Sequence, residues 1–131
     1  EKMKAVKYAI KTAKYSKWTK IKGYNVHHII PKGLLNKGDD LADAIKNSGF
    51  DINSGDNLRY ISDAIHGNHP QYSKVVAQKL TEIMEKNGGT LSAGEVQGVI
   101  NQMQNFINNA EKAFDGTKAT NLNNFSREFV K

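Results

Sequence analysis

Both prolines and all four histidines of this 131-residue chain fall in two short stretches, NVHHIIPKG at residues 25–33 and AIHGNHPQY at residues 64–72. The prolines restrict what these stretches can become. Pro31 has no amide proton to give a strand ladder, so it ends the extended run YNVHHII. Pro70 carries the fixed φ of a first helical position, where its missing proton would be unpaired anyway. The first two histidines therefore belong to an extended segment and the second two to the mouth of a helix. Neighbouring strand residues point to opposite faces, so His27 and His28 cannot easily bind one ion together. One of them could hold a metal while its neighbour stays available as a base.

Periodicity places these stretches among further elements. GDDLADAIKNSG has an Asp cap, apolar Leu41, Ala44 and Ile45, and a Gly49 stop, which predicts a short helix. After the turn DINSGD, the alternation in NLRYIS predicts a strand, with Leu58, Tyr60 and Ser62 on one face and Arg59 and Ile61 on the other. From Pro70 onward Tyr72, Val75, Val76, Leu80, Ile83 and Met84 form one helical face, ended by NGG at 87–89. Ser92 and Glu95 form a capping box ahead of a long helix with Val96, Val99, Ile100, Met103, Ile107 and Ala110 on its apolar row. The tail NLNNFSREFVK can add one more short helix. These apolar rows are core rather than cofactor contacts. Two strands and a helix in this order can hold a divalent metal between the end of the first strand and the start of the helix.

The N-terminal segment differs in character. Met3, Val6, Ile10 and Ala13 recur at helical spacing, with Lys4, Lys7, Lys11 and Lys14 as a basic row beside them. Trp18 and Tyr24 flank the lysine-rich connector that follows and read as core anchors rather than base-stacking platforms. The net charge of +6 is unevenly spread, because residues 1–37 hold ten lysines against Glu1 alone, or +9, leaving −3 for the remainder. Such a patch attracts polyanions by releasing their condensed counterions. Charge alone does not separate DNA, RNA, an anionic membrane or an acidic protein, and a solvated helix face would look the same. No cysteine is present, which excludes disulfides and thiolate metal sites and suits a chain that must unfold or cross an oxidising space. No apolar run is long enough to span a membrane, and no signal peptide opens the sequence. A first residue of Glu rather than Met fits a segment of a longer protein. With no repeat and no convincing linker, residues 1–131 read as one helix-rich α+β domain.

VHHIIPKG, NSGDNLRYI and HGNHPQY, in that order, resemble the HNH/endonuclease VII superfamily of ββα-metal nucleases. Within it they are most similar to the AHH branch, common among the C-terminal toxin domains of bacterial polymorphic and contact-dependent toxins. Asn57 stands nine residues before His66, as in the related nuclease colicins. The resemblance implies a ββα-metal (His-Me finger) core with a helical insertion over 25–86, between a basic helix and connector at 1–24 and C-terminal helices at 90–131. It implies His28 as the general base for the attacking water, Asn57 as the amide that fixes the loop and so orients that base, and His27, His66 and His69 as metal ligands. Lys4, Lys7, Lys11, Lys14, Lys32 and Arg59 are then candidate nucleic-acid contacts, although a strand arginine is as often a surface ion pair. Tyr72 also matches a family position and reads as packing.

Two departures from the family stand out. Pro70 occupies the place where the nuclease colicins carry the second helix ligand, so His69 falls near the helix cap, and either His66 or His69 could contact phosphate instead. Val26 replaces the alanine of the AHH pattern. Three imidazoles favour zinc, nickel or manganese over magnesium on ligand softness. Which metal supports turnover is a separate matter, since single-metal nucleases of this type often accept several, and the expectation is one divalent ion: Zn, Ni, Mn or Mg.

The function implied is a metal-dependent, sequence-nonspecific endonuclease acting on DNA, with RNA as an alternative substrate. As a toxin effector it would be delivered from a producing cell as part of a larger protein and act in the cytoplasm of a target bacterium. A cognate immunity protein, expected to be acidic, would neutralise it. A non-catalytic metal-bound nucleic-acid-binding module would keep His27, His66 and His69 but need no base, so His28 separates the two readings. A membrane-surface role for the lysine-rich helix ranks lower, because its apolar row is modest and lacks bulky aromatics.

Overall fold

Strand β1 (Tyr24–His28) pairs antiparallel with β2 (Leu58–Ser62), placing His27 opposite Arg59 and His28 opposite Leu58. This computed structural model describes residues 18–131, so the expected helix over 3–17 and its Lys4, Lys7, Lys11 and Lys14 lie outside the described residues. The pleat sorts the two strands as their alternation requires. On one face Leu58 and Tyr60 are buried against Trp18, with Ile21, Tyr24 and Val26 packed around them. Val26 lies directly opposite Tyr60, so its branched side chain is spent on this small second core. On the other face Ile61 enters the main core.

Five helices complete the described fold: α1 (Asp40–Asn47), α2 (Asp63–His66), α3 (Pro70–Lys86), α4 (Ala93–Ala113) and α5 (Leu122–Arg127). Each begins with local chemistry legible in its residues. The Asp39 carboxylate accepts from the Ala42 amide at the start of α1, Pro70 opens α3, and Ser92 and Glu95 close a reciprocal capping box on α4. The apolar rows of α3 and α4 face each other, α1 packs on α3, and α5 lies against both long helices. One cluster of buried apolar residues thus runs from Ile29 and Ile30 through Ile45, Tyr72, Val76, Leu80 and Met103 to Leu122. The architecture is helix-rich α+β with a single small antiparallel sheet among the described residues.

Two of the short elements that were not expected lie at the histidine stretches. A 3-10 turn at Lys32–Asn36 follows Pro31 and buries Leu34, and the one-turn helix α2 fills the span between β2 and Gly67. The Ser62 hydroxyl caps α2 by accepting from the Ile65 amide. Gly67, with φ of +44°, turns the chain between α2 and α3 in a region of φ that disfavours side chains.

Arg59 departs from the phosphate-contact expectation. It is 4% exposed, and its guanidinium points at α4. Nη1 donates to the Gln104 side chain at 2.8 Å and Asn108 Oδ1 at 3.0 Å, and Nη2 meets Glu111 Oε1 at 2.8 Å. The expectation failed because alternation fixes which face a strand residue takes but not what covers that face. Here the cover is the polar edge of α4. Removing the partner of a buried charge costs about 3–5 kcal/mol when the pair is fully buried. The Glu111 side chain is 32% exposed, so Glu111→Ala should cost less, about 2 kcal/mol in urea unfolding, whereas a change within error would show that α4 is not tied to β2 through this pair.

Candidate active site

His27 is the point on which the sheet, α2 and α3 converge. It is 2% exposed on the helix-facing side of β1, and its ring meets those of His66 and His69 edge-on, with centroids 5.3 Å and 5.1 Å away. His66, the last residue of α2, and His69, the cap of α3, are 4.8 Å apart by the same measure. The two do not share a helical face, because Gly67 reverses the chain between them, yet the turn aims both rings at His27. One ring nitrogen from each of the three lies within 4.8 Å of the others.

The chemistry of this trio fits a divalent cation. His27 Nε2 is buried with no hydrogen-bond partner among the described residues, an arrangement that costs free energy unless something occupies that nitrogen. Metal ligation requires neutral imidazole, and the site keeps it neutral. Burial, then the charges His69, His66 and Arg59 would present, holds His27 well below the ordinary imidazole value. Burial and His69 push His66 down to about 4, partly opposed by Asp63, and burial lowers His69. Tyr72 backs the cluster: its ring stands edge-on to His27 and His69, and its buried hydroxyl donates to the Ile29 carbonyl at 2.5 Å.

His28 points to the opposite face of the sheet from that trio, half-buried, with Nε2 2.8 Å from Asn53 Oδ1. Burial is the main cause that lowers its pKa, Lys32 adds to the effect, and the Asn53 hydrogen bond opposes it. A neutral imidazole at pH 7 is the form that can take a proton. Lys32 itself is exposed on the turn after Pro31.

The Asn57 side chain spends its hydrogen bonds on main-chain groups. Fully buried, it accepts from the Ile30 amide at 2.7 Å and donates to the carbonyls of Ile30 and Ile52 at 3.1 and 2.9 Å. It therefore clamps the chain leaving β1 to the loop entering β2. Asn53, on that loop, is the contact that sequence reasoning missed. Asparagine in a turn such as DINSGD is ordinary, and its distance from His28 depends on how the loop folds.

A family model described as a nuclease family of the HNH/ENDO VII superfamily with conserved AHH matches residues 10–107, a span that contains both histidine stretches and both strands. No curated protein and no solved structure matches the chain.

The site's titration gives a directional prediction. The folded-state pKa values of these histidines lie below 6.5, His66 at about 4, so the unfolded chain takes up protons first on acidification. Stability is fully present above 6.5 and is lost as pH falls toward 4. The Tm of metal-free protein should fall across that window, and His66→Gln should flatten the fall; a wild-type Tm that rises on acidification would contradict the burial of these rings. At neutral pH, zinc at about a hundred times its Kd should stabilise the protein by about 2.7 kcal/mol and do nothing for His27→Ala.

Proposed function

The chain belongs to the AHH family of HNH/ENDO VII nucleases, which use metal ions, and from that premise we propose that it hydrolyses DNA without sequence preference, as the effector domain of an antibacterial toxin. The observation that carries the catalytic part is the division of the histidine pair. His27 joins His66 and His69 in one cluster of imidazoles, while His28 lies across the pleat with a neutral ring. A non-catalytic metal-bound module has no use for that second imidazole.

In this reading His27, His66 and His69 hold one divalent cation. When bound, it supplies Lewis-acid stabilisation of charge on the phosphate and on the leaving 3′ oxygen. His28 accepts the proton of the water whose oxygen attacks phosphorus, while the bond to the 3′ oxygen breaks. Lys32, exposed close enough to His28 to lower its pKa, is suited to a phosphate oxygen beside the scissile one. Lys4, Lys7, Lys11 and Lys14 supply backbone affinity without reading bases. Asn57 acts by fixing the loops on both sides of the site rather than by touching substrate. The donor set favours zinc, nickel or manganese over magnesium.

DNA is preferred over RNA on the likeness of the motifs to nuclease colicins, and the toxin role rests on the same likeness to toxin C-terminal domains. The +9 of residues 1–37 supports an acidic immunity protein as the inhibitor, and delivery from a larger secreted or surface protein into a target cytoplasm rests on the toxin-domain likeness alone. No helix among the described residues is long and apolar enough to cross a membrane.

Plasmid and structured RNA should be incubated with wild type and His28→Ala, with and without chelator. Wild type should nick plasmid only with metal, and His28→Ala should lose at least about a hundredfold while still binding metal. Undiminished cleavage by His28→Ala would sink the mechanism, and RNA cut faster than DNA would replace the substrate. Expression in a bacterial cytoplasm should be toxic for wild type and tolerated for His28→Ala.

A further inference from the structure

We propose that Asn53 is a positioning residue for His28, fixing the imidazole in the tautomer with its proton on Nε2 and its lone pair on Nδ1. The inference rests on the nuclease reading only in giving His28 its role as base; the tautomer itself follows from the contact. A carboxamide oxygen is an acceptor and nothing else, and it stands 2.8 Å from His28 Nε2. With the carboxamide oxygen facing the ring, Nε2 is assigned as the N–H of the neutral imidazole and Nδ1 as the nitrogen that receives a proton.

The loop around Asn53 is built to keep that oxygen in place. The Asn53 amide donates to Asp51 Oδ1 at 2.9 Å, and the Ser54 amide to the Asp51 carbonyl at 3.0 Å, a tight turn whose tip is Asn53. On one side Asn57 Nδ2 holds the Ile52 carbonyl at 2.9 Å; on the other the Asn57 amide donates to the Ser54 carbonyl at 3.0 Å. The buried clamp thus reaches His28 through Ile52 and Asn53. The chemistry of the residue matters as well. A carboxylate at position 53 would orient the ring equally but would stabilise imidazolium once the proton had arrived, which slows its return to water. A neutral acceptor orients the base without trapping it.

Two arms test the assignment on the zinc-loaded protein of residues 1–131. In the first, nitrogen chemical shifts of labelled histidine are read at a pH where His28 is neutral. Wild type should show His28 protonated on Nε2, Asn53→Asp should keep that pattern, and Asn53→Ala should show a mixture of tautomers or the opposite one. The same His28 pattern in wild type and Asn53→Ala would overturn the proposal. In the second arm, Asn53→Ala should lower kcat for plasmid about tenfold with KM unchanged, and should have no further effect in a His28→Ala background. An equal loss in both backgrounds would mark Asn53 as a structural turn residue only. Should Asn53→Ala prove unstable, Asn53→Leu removes the acceptor at nearly constant volume. If wild type cleaves nothing, the nuclease reading fails, while the first arm still decides the tautomer.

Discussion

The buried carboxamide of Asn57 is the constraint on which the site depends. β1 and β2 are short, and 29 residues with α1 among them lie between His28 and Asn57's neighbour Leu58, so the ladder alone would leave both loop ends loose. One side chain closes the gap. Its oxygen takes the Ile30 amide, its nitrogen gives to Ile30 and Ile52, and its main-chain carbonyl takes the Ile29 amide at 2.7 Å. A fully buried amide left unpaired costs about 1–3 kcal/mol for each group stranded, so these bonds form together or the loops separate together. That cooperativity is what allows a two-stranded sheet, marginal by itself, to present side chains at fixed positions.

The second constraint is the dryness around His27. Three imidazoles brought together as cations would repel one another, and burial penalises each charge further. The trio is tolerable only as neutral rings, the state in which nitrogen lone pairs are available to a metal. Arg59 lies across the ladder from His27 and adds a positive charge to the same neighbourhood, but Glu111 meets that charge from α4. The pair keeps the helix against the sheet while limiting the field felt by the histidines. Tyr72 uses the same economy: one ring fills the space behind His27 and His69, and its hydroxyl satisfies the Ile29 carbonyl at the end of β1.

Much of this was legible in the residues, because the signals were local. Asp39, Pro70 and the Ser92 and Glu95 pair each announced a helix start that the structure contains, and alternation in NLRYIS gave β2 its two faces. The histidines could be grouped by their stretches, though Pro70 left open whether His66 and His69 would meet. They do meet, by way of α2 and the positive φ of Gly67, a one-turn helix too short to leave a periodic signature. Arg59 and Asn53 were illegible for a common reason. What each touches is set by an element distant in sequence, α4 for one and β1 for the other, and nothing in LRYIS or DINSGD encodes that partner.

The pleat of β1 explains why the histidines are adjacent rather than separated. Consecutive strand residues stand on opposite faces yet share a peptide unit, so whatever fixes one backbone fixes the other. His27 is buried, so its ring stays a neutral ligand and its partners crowd it; His28, on the face of the small second core, is only half-buried at the strand end, where a ring can exchange protons. Inserting one residue between them would turn both toward the same face and lose that contrast. Separating them along the chain would let their backbones move independently. Adjacency is thus the shortest way for a flexible chain to hold two imidazoles in opposite environments at a fixed distance. The hydrogen bonds of Asn57 and Tyr72 to Ile29 and Ile30 secure the strand end immediately beyond them.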